Sequence, residues 1–325
     1  MRLVCPACKG PLACAPQAYV CDACQREFPI VAGIPDFRLN PDPYIAIQED
    51  REKGERLRIA GQGRSFEDLV RYYYSITPDH PADLARRRIR HALAEVGIAQ
   101  SVLREADLLP ARRAGALLDV GCSTAALLVA ASGGFESLVG VDVAFRWLVV
   151  GQVRLREARI EAALVCANAE ALPFPERAFQ ALTATDLIEH ARDPAAAVRE
   201  AHRVLATGGT TLWTTNNRYA PLAEPHVGVW GVGYLPRTWQ ARYVARRRRD
   251  VRPYVVRLKS AGEIDRLFAG GGFARRTVEA AALFAPQRPR SLQSLLEVYN
   301  RLRKVPVFAA AARWVGPRVS VRAWK

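Results

Sequence analysis

Two cysteine pairs stand near the start of the chain, Cys5-Pro-Ala-Cys8 and Cys21-Asp-Ala-Cys24, with twelve residues between them. Each CxxC turn can aim two thiolates at one point, and two such turns complete the tetrahedral four-sulfur set that zinc prefers. Lys9, Gly10 and Pro11 supply turn chemistry after the first knuckle, and Phe28, Ile30, Val31 and Ile34 give the module an apolar side. A unit this short folds only around its metal. The remaining cysteines, Cys14, Cys122 and Cys166, are scattered. That is no disulfide framework, and it fits a reducing compartment. Two knuckles with no strand before the first also argue against a redox pair.

A second cluster begins at Leu117-Leu-Asp-Val-Gly-Cys-Ser-Thr-Ala125. Gly121 allows a ligand close to the backbone. Asp142 follows 21 residues later, where a carboxylate at a strand end can accept hydrogen bonds from both hydroxyls of a ribose. Farther on, Asp186-Leu-Ile-Glu-His190 gathers two carboxylates and an imidazole within five residues. The stretch from Asn216 to His226, with VGVWGVGYLPR after it, mixes Tyr219, Glu224, His226, Trp230 and Tyr234. Aromatic walls beside titratable groups suit the activation of a high-pKa oxygen nucleophile. His226, His190 and Glu189 are therefore the candidate catalytic residues, His226 first among them. The plainer alternatives are a histidine that packs at a strand end and a Gly/Pro-rich surface loop.

These groups need a frame. Short apolar runs at 116–120, 137–141, 164–166, 178–184 and 210–215 predict strands, and intervening Ala/Leu-rich stretches predict helices. Asp193-Pro194 supplies an N-cap and an N1 proline, and that helix is expected to stop at Gly208-Gly209. Ser260-Ala-Gly-Glu263 is a capping box. A strand from Phe273, a helix over 291–312 and a last strand over 318–324 complete the pattern. Alternating β and α elements build an α/β fold, a doubly wound sheet with helices on both faces, whose ligand lies at the carboxyl ends of the strands.

A dinucleotide cofactor wants three glycines at that turn, so that pyrophosphate can lie against the helix N-terminus. Here Ser123 and Ala125 replace two of them. The segments LLDVGCSTA, LVGVDVA, CANAEALPF, ATDLIEHARDP and REAHRVLATGGTTLWTTNN instead resemble, in order and interval, the class I S-adenosylmethionine (SAM) dependent methyltransferases. The likeness is strongest to the ubiquinone and menaquinone biosynthesis branch, and it covers roughly residues 114 to 217. It implies a Rossmann-like, seven-stranded sheet. It also implies that Asp119, Gly121 and Ser123 hold the methionine end of SAM, Asp142 and Val143 the ribose, Asn168 and Ala169 the adenine, and Asp186 and Leu187 the pocket edge. The family usually carries Gly at 123 and 125 and Asp at 168. The first 37 residues resemble the zinc ribbon of the tRNA-methyltransferase activator family, most tellingly in FPIVAGIP, which implies structural Zn2+ held by Cys5, Cys8, Cys21 and Cys24.

The expected organisation is a ribbon over 1–37, a linker over 38–80 with one short helix, and a catalytic domain over 81–325 with an insertion at about 217–258. The net charge of +15 comes almost wholly from arginine, since there are five lysines. Arg246 to Arg249, with Arg242, Arg252 and Arg257, either meet phosphates or form a solvated face. The helical stretch 291–312 reads as a lid or packing helix, or as a peripheral membrane contact. With no apolar run of spanning length and no secretory signal at the start, a cytoplasmic protein is expected. Three functions compete: methyl transfer to a small-molecule, glycan or lipid-linked acceptor, methylation of RNA gripped by ribbon and arginines, and a non-catalytic scaffold. No Asn-Pro-Pro-Tyr-like tetrad or catalytic cysteine arrangement supports the second.

Overall fold

The four cysteines sit on a small antiparallel sheet with strand order β1 (Leu12–Cys14), β2 (Ala18–Cys21), β3 (Glu27–Val31) and β4 (Ile34–Pro35). This computed structural model describes residues 2–77, 81–110, 112–286 and 288–325. Gly10 closes the first knuckle, where a side chain would press on Ala23 and the Cys8 sulfur. The ribbon does not hang free. Val4 N–H donates to the Pro173 carbonyl at 3.0 Å, and Lys9 Nζ pairs with Glu200 at 2.7 Å. Phe28 and Phe37 join the same apolar core as Leu172 and Phe174.

Beyond the ribbon the chain departs from the linker its composition suggests. It forms α1 (Ile47–Ala60) and α2 (Phe66–Ser75), followed by α3 (Ala82–Glu105). Residues 78–80, the end of the expected linker, lie outside the described residues. What hides α1 in sequence is charge. Its Asp50 is fully buried and accepts from Arg38 and Arg146, each at 2.7 Å, and from the Phe145 N–H at 2.8 Å. Asp36 takes the other edge of Arg38, and Asp42 a second arm of Arg146. A charged segment is thereby packed as interior, each buried ion being partnered. Gly54 lets α1 approach the ring of Phe145.

The main sheet follows in sequence: β5 (Ala116–Val120), α4 (Ala126–Ala131), β6 (Ser137–Asp142), α5 (Phe145–Ala158), β7 (Ala163–Cys166), β8 (Phe179–Thr185), α6 (Pro194–Val204) and β9 (Leu205–Asn216). The insertion carries the short pair β10 (Ala223–Glu224) and β11 (Val229–Trp230), then α7 (Arg237–Arg247). After it come α8 (Ala261–Gly270), β12 (Arg275–Ala280), α9 (Arg290–Leu302), α10 (Pro306–Val315) and β13 (Arg318–Trp324). The seven strands lie in the order β12-β13-β9-β8-β5-β6-β7, with β13 antiparallel to both neighbours. This is the expected doubly wound α/β sheet.

Two boundaries differ from expectation. Strand β9 begins at Leu205 and runs through Gly208-Gly209, because Leu205 pairs with Phe179 and the glycines form an irregularity in the ladder. The single helix expected over 291–312 is broken in two before Pro306, which cannot donate the backbone bond a continuous helix needs there. Among the described residues no helix is long and apolar enough to cross a membrane.

Candidate functional site

At the carboxyl edge of β5, β6 and β8 lies a cavity of about 950 Å³. Asp119, Gly121, Ser123, Asp142, Val143, Asn168, Ala169, Asp186 and Leu187 all line it, as do His190 and His226. The turn after β5 explains the shape. Gly121 has φ +77°, and a side chain there would press on Leu187. Ser123 and Ala125 keep the left-handed backbone of the glycines they replace, with φ of 47° and 63°, which costs an L-residue about 1–2 kcal/mol each. Ser123→Gly should therefore stabilise the fold by about 1 kcal/mol, read as a higher urea midpoint at unchanged slope. An unchanged or lower midpoint would refute the strain.

The ends of the cavity differ in charge. Asp142 accepts from the Ser123 and Ala144 N–H groups at 2.8 Å each, which orients the carboxylate and leaves lone pairs toward the cavity. Asp119, held by the Thr183 hydroxyl at 2.8 Å, is 3% exposed. Burial pushes the Asp119 carboxyl up to about 7 and the Asp142 carboxyl up to about 6. Both therefore gain from a cationic or multiply donating ligand. Asn168 is already engaged: its Oδ1 accepts from the Leu39 and Asn40 N–H groups at 2.8 and 3.0 Å, and its Nδ2 donates to the Asn40 carbonyl. The ribbon's exit strand is thus tied to the wall where the resemblance puts adenine.

At the other end, His190 and His226 face each other Nε2 to Nε2 at 3.1 Å, and His226 Nδ1 meets Glu224 Oε1 at 2.5 Å. Glu224, 4% exposed, also accepts the N–H groups of His226 and Val227. Burial alone would lower the His226 pKa, but the Glu224 hydrogen bond and the charges of Glu224, Glu189 and Asp186 outweigh it and raise it. His190 has no such partner, and burial beside His226 drops it to about 3. Glu189 stands behind the cavity wall. It accepts from Thr215 at 2.8 Å, and burial lifts it to about 7. The donor atoms of Glu189, His190 and His226 lie within 4.8 Å of one another, a spacing that a cation would also accept. Asp186 is clasped by Arg318 at 2.8 and 3.0 Å. Burial would raise its pKa, yet Arg318 holds it below the ordinary carboxylate range.

The insertion contributes less than its composition suggests. Tyr219, Trp230 and Tyr234 contact one another, and Trp230 and Tyr234 are exposed; none of the three lines the cavity. The cavity's aromatic walls come from Tyr44, Tyr73, Trp147, Tyr254 and Phe284, of which only Tyr254 lies in the insertion. Of the arginine run, Arg248 pairs with Asp250 and Asp83, and only Arg252 of the seven lines the cavity. In the ribbon the four cysteine sulfurs lie within 4.8 Å of one another, with 3.6 Å between Cys5 and Cys24 and 3.4 Å between Cys8 and Cys21. That spacing suits a tetrahedron with metal–sulfur bonds of about 2.3 Å, so the cluster fits zinc.

Residues 118–213 match the family described as "Methyltransferase domain". Ubiquinone biosynthesis O-methyltransferases of Pseudomonas putida and Thiobacillus denitrificans are each 32% identical, over 104 and 106 residues. Those stretches cover 31% and 32% of this chain and 44% and 45% of the relatives, so the chain spans less than half the length of either. A SAM-dependent methyltransferase structure from Mesorhizobium loti aligns over 71% of this chain and all of its own, at 18% identity and a TM-score of 0.47. On the sequence matches, the stretch from 118 to 213 is similar to methyltransferase domains, those of the ubiquinone biosynthesis O-methyltransferases among them.

Proposed function

We propose that the chain transfers a methyl group from SAM to an oxygen of a small-molecule, glycan or lipid-linked acceptor, with His226 as the general base. The observation that carries this reading is the Glu224–His226–His190 chain facing the same cavity as Asp142. Asp142 and Val143 would hold the ribose, Asp119 and the Gly121–Ser123 backbone the methionine end, and Ala169 with the Asn168 wall the adenine. Bound SAM supplies an electrophilic methyl for in-line displacement, and the chain's task is then placement and proton removal. His226 takes the acceptor's proton at Nε2 while Glu224 holds Nδ1–H and stabilises the imidazolium. His190, kept neutral, occupies that nitrogen at 3.1 Å until the acceptor hydroxyl displaces it.

The rest of the wall supports an acceptor with anionic character. Arg87, Arg88, Arg252 and Arg288 line the cavity. Three of the acidic lining residues are already matched, Asp42 by Arg146, Glu95 by Arg154 and Asp186 by Arg318. Calorimetric titration of the zinc-loaded protein with S-adenosylhomocysteine, with NADH as control, tests the cofactor reading. Heat from the former alone is expected, and Asp142→Ala should weaken it at least about tenfold by removing a charged acceptor. Equal affinity in the variant would mean the cofactor sits elsewhere.

A further inference from the structure

We propose that α9 and α10 form a membrane-docking surface that rests on anionic lipid. Neither helix has a single buried residue in its described span. On α9, Leu295, Val298 and Leu302 are 63%, 51% and 40% exposed, at spacings of three and four that make one stripe. On α10, Val307, Phe308, Trp314 and Val315 are 79%, 52%, 57% and 49% exposed, again on one side of the helix. Single exposed apolar residues are ordinary, but stripes on two consecutive helices are an interaction surface.

The opposite sides are held down. Asn300 exchanges two hydrogen bonds with the backbone of Leu283, Arg303 donates to the Ala280 carbonyl and pairs with Glu105, and Asn217 Nδ2 grips the carbonyls of Trp314 and Gly316. These anchors also fix where the surface lies. Residues 281–285 and Arg288, which lead into α9, line the cavity, and Asn217 adjoins Asn216 of the cavity wall. The segment that leads into α9 and the anchor of α10 therefore adjoin the cavity wall.

Charge decides between lipid and a second copy of the chain. Arg288, Arg290 and Arg301 are exposed beside the stripes, as is Lys304, which pairs with Glu105 at 2.8 Å, and Glu297 is the one acidic residue in 288–315. A second copy would set this positive patch against itself, on a chain already at +15. Anionic headgroups complement it, and Phe and Trp at the apolar edge suit the headgroup boundary. With no helix fit to span a bilayer among the described residues, the pair would lie in the interface plane. On the methyl-transfer reading, the acceptor is then an anionic amphiphile that enters from the bilayer.

The experiment is sedimentation of the full, zinc-loaded chain with phosphatidylcholine vesicles, with and without phosphatidylglycerol. Binding is expected only with phosphatidylglycerol, and it should fall as salt rises. Phe308→Ser combined with Trp314→Ser should weaken it at least about tenfold, with the melting temperature and S-adenosylhomocysteine affinity unchanged. Absence of lipid-dependent binding, or equal binding by the double variant, overturns the proposal. So does a dimer in light scattering that the double variant dissociates, since the second copy would then own the surface. Cofactor titration on the same samples separates the two readings: cofactor without vesicle binding sinks the docking surface alone, and the reverse sinks the methyl-transfer reading alone.

Discussion

His226→Ala should lower kcat by about 10²–10⁴-fold, the range over which a positioned general base acts, while S-adenosylhomocysteine affinity stays unchanged. The separation is expected because the groups proposed to hold the cofactor, Asp119, the Gly121–Ser123 turn and Asp142, lie on other elements than His226. A pH profile gives the prediction its sign. The base must be unprotonated to act, and Glu224 raises the His226 pKa above the ordinary histidine value of about 6.5. Activity is therefore expected to rise with pH along a limb centred above that value and to be lost below it. Glu224→Gln removes the largest of the raising causes, so the limb should move to lower pH as the rate falls. Glu189, Asp186 and His190 also face His226, and none is altered by that change. Full turnover by His226→Ala, or a limb that stays put in Glu224→Gln, would remove His226 from the base role. A rate that depends on added divalent cation would instead hand the Glu189–His190–His226 cluster to a metal.

The cavity wall proposed for the cofactor was legible in sequence because its parts are local. A strand end, a glycine turn and an aspartate 21 residues on follow the doubly wound topology, and the nine residues that the family resemblance implies line one cavity. The acceptor end was only half legible. His190 and His226 are 36 residues apart, and their contact depends on how β10 and β11 fold the insertion back over β8. Tyr219, Trp230 and Tyr234 have the composition of a pocket, but they spend it on one another at the surface. Arg318 was missed as a site residue because nothing in 318–324 says that an antiparallel strand will carry it to Asp186. Helix α1, read as linker, was hidden for a related reason. Buried Arg38, Asp50 and Arg146 look like solvated charges until their side-chain partners, up to 104 residues away, are known.

If the four cysteines hold zinc, stripping it should unfold more than the ribbon. The four-cysteine set is complete and has the spacing zinc requires, and structural zinc binding supplies on the order of 10 kcal/mol or more of folding free energy. The ribbon's last residues then continue straight into the cofactor wall. Phe37 N–H donates to the Cys166 carbonyl at 2.7 Å, extending the sheet past β7, and Leu39 and Asn40 fix Asn168. Asp36 and Arg38 anchor α1 through Asp50, which in turn caps the start of α5 just after Asp142. Loss of the metal should thus release Asn168, loosen the Asp142–Ala144 turn, and weaken S-adenosylhomocysteine binding at least about tenfold, as expected when several hydrogen bonds of about 1 kcal/mol each lose their geometry. The measurement is cofactor titration and thermal unfolding of Cys21→Ser beside the zinc-loaded parent, with zinc content determined in both. Arg38→Ala keeps all four cysteines and tests the link by itself: it should bind zinc fully yet share the weakened cofactor affinity. If Cys21→Ser loses zinc and binds S-adenosylhomocysteine as the parent does, the ribbon only decorates the domain, and its purpose would then have to be sought in a partner.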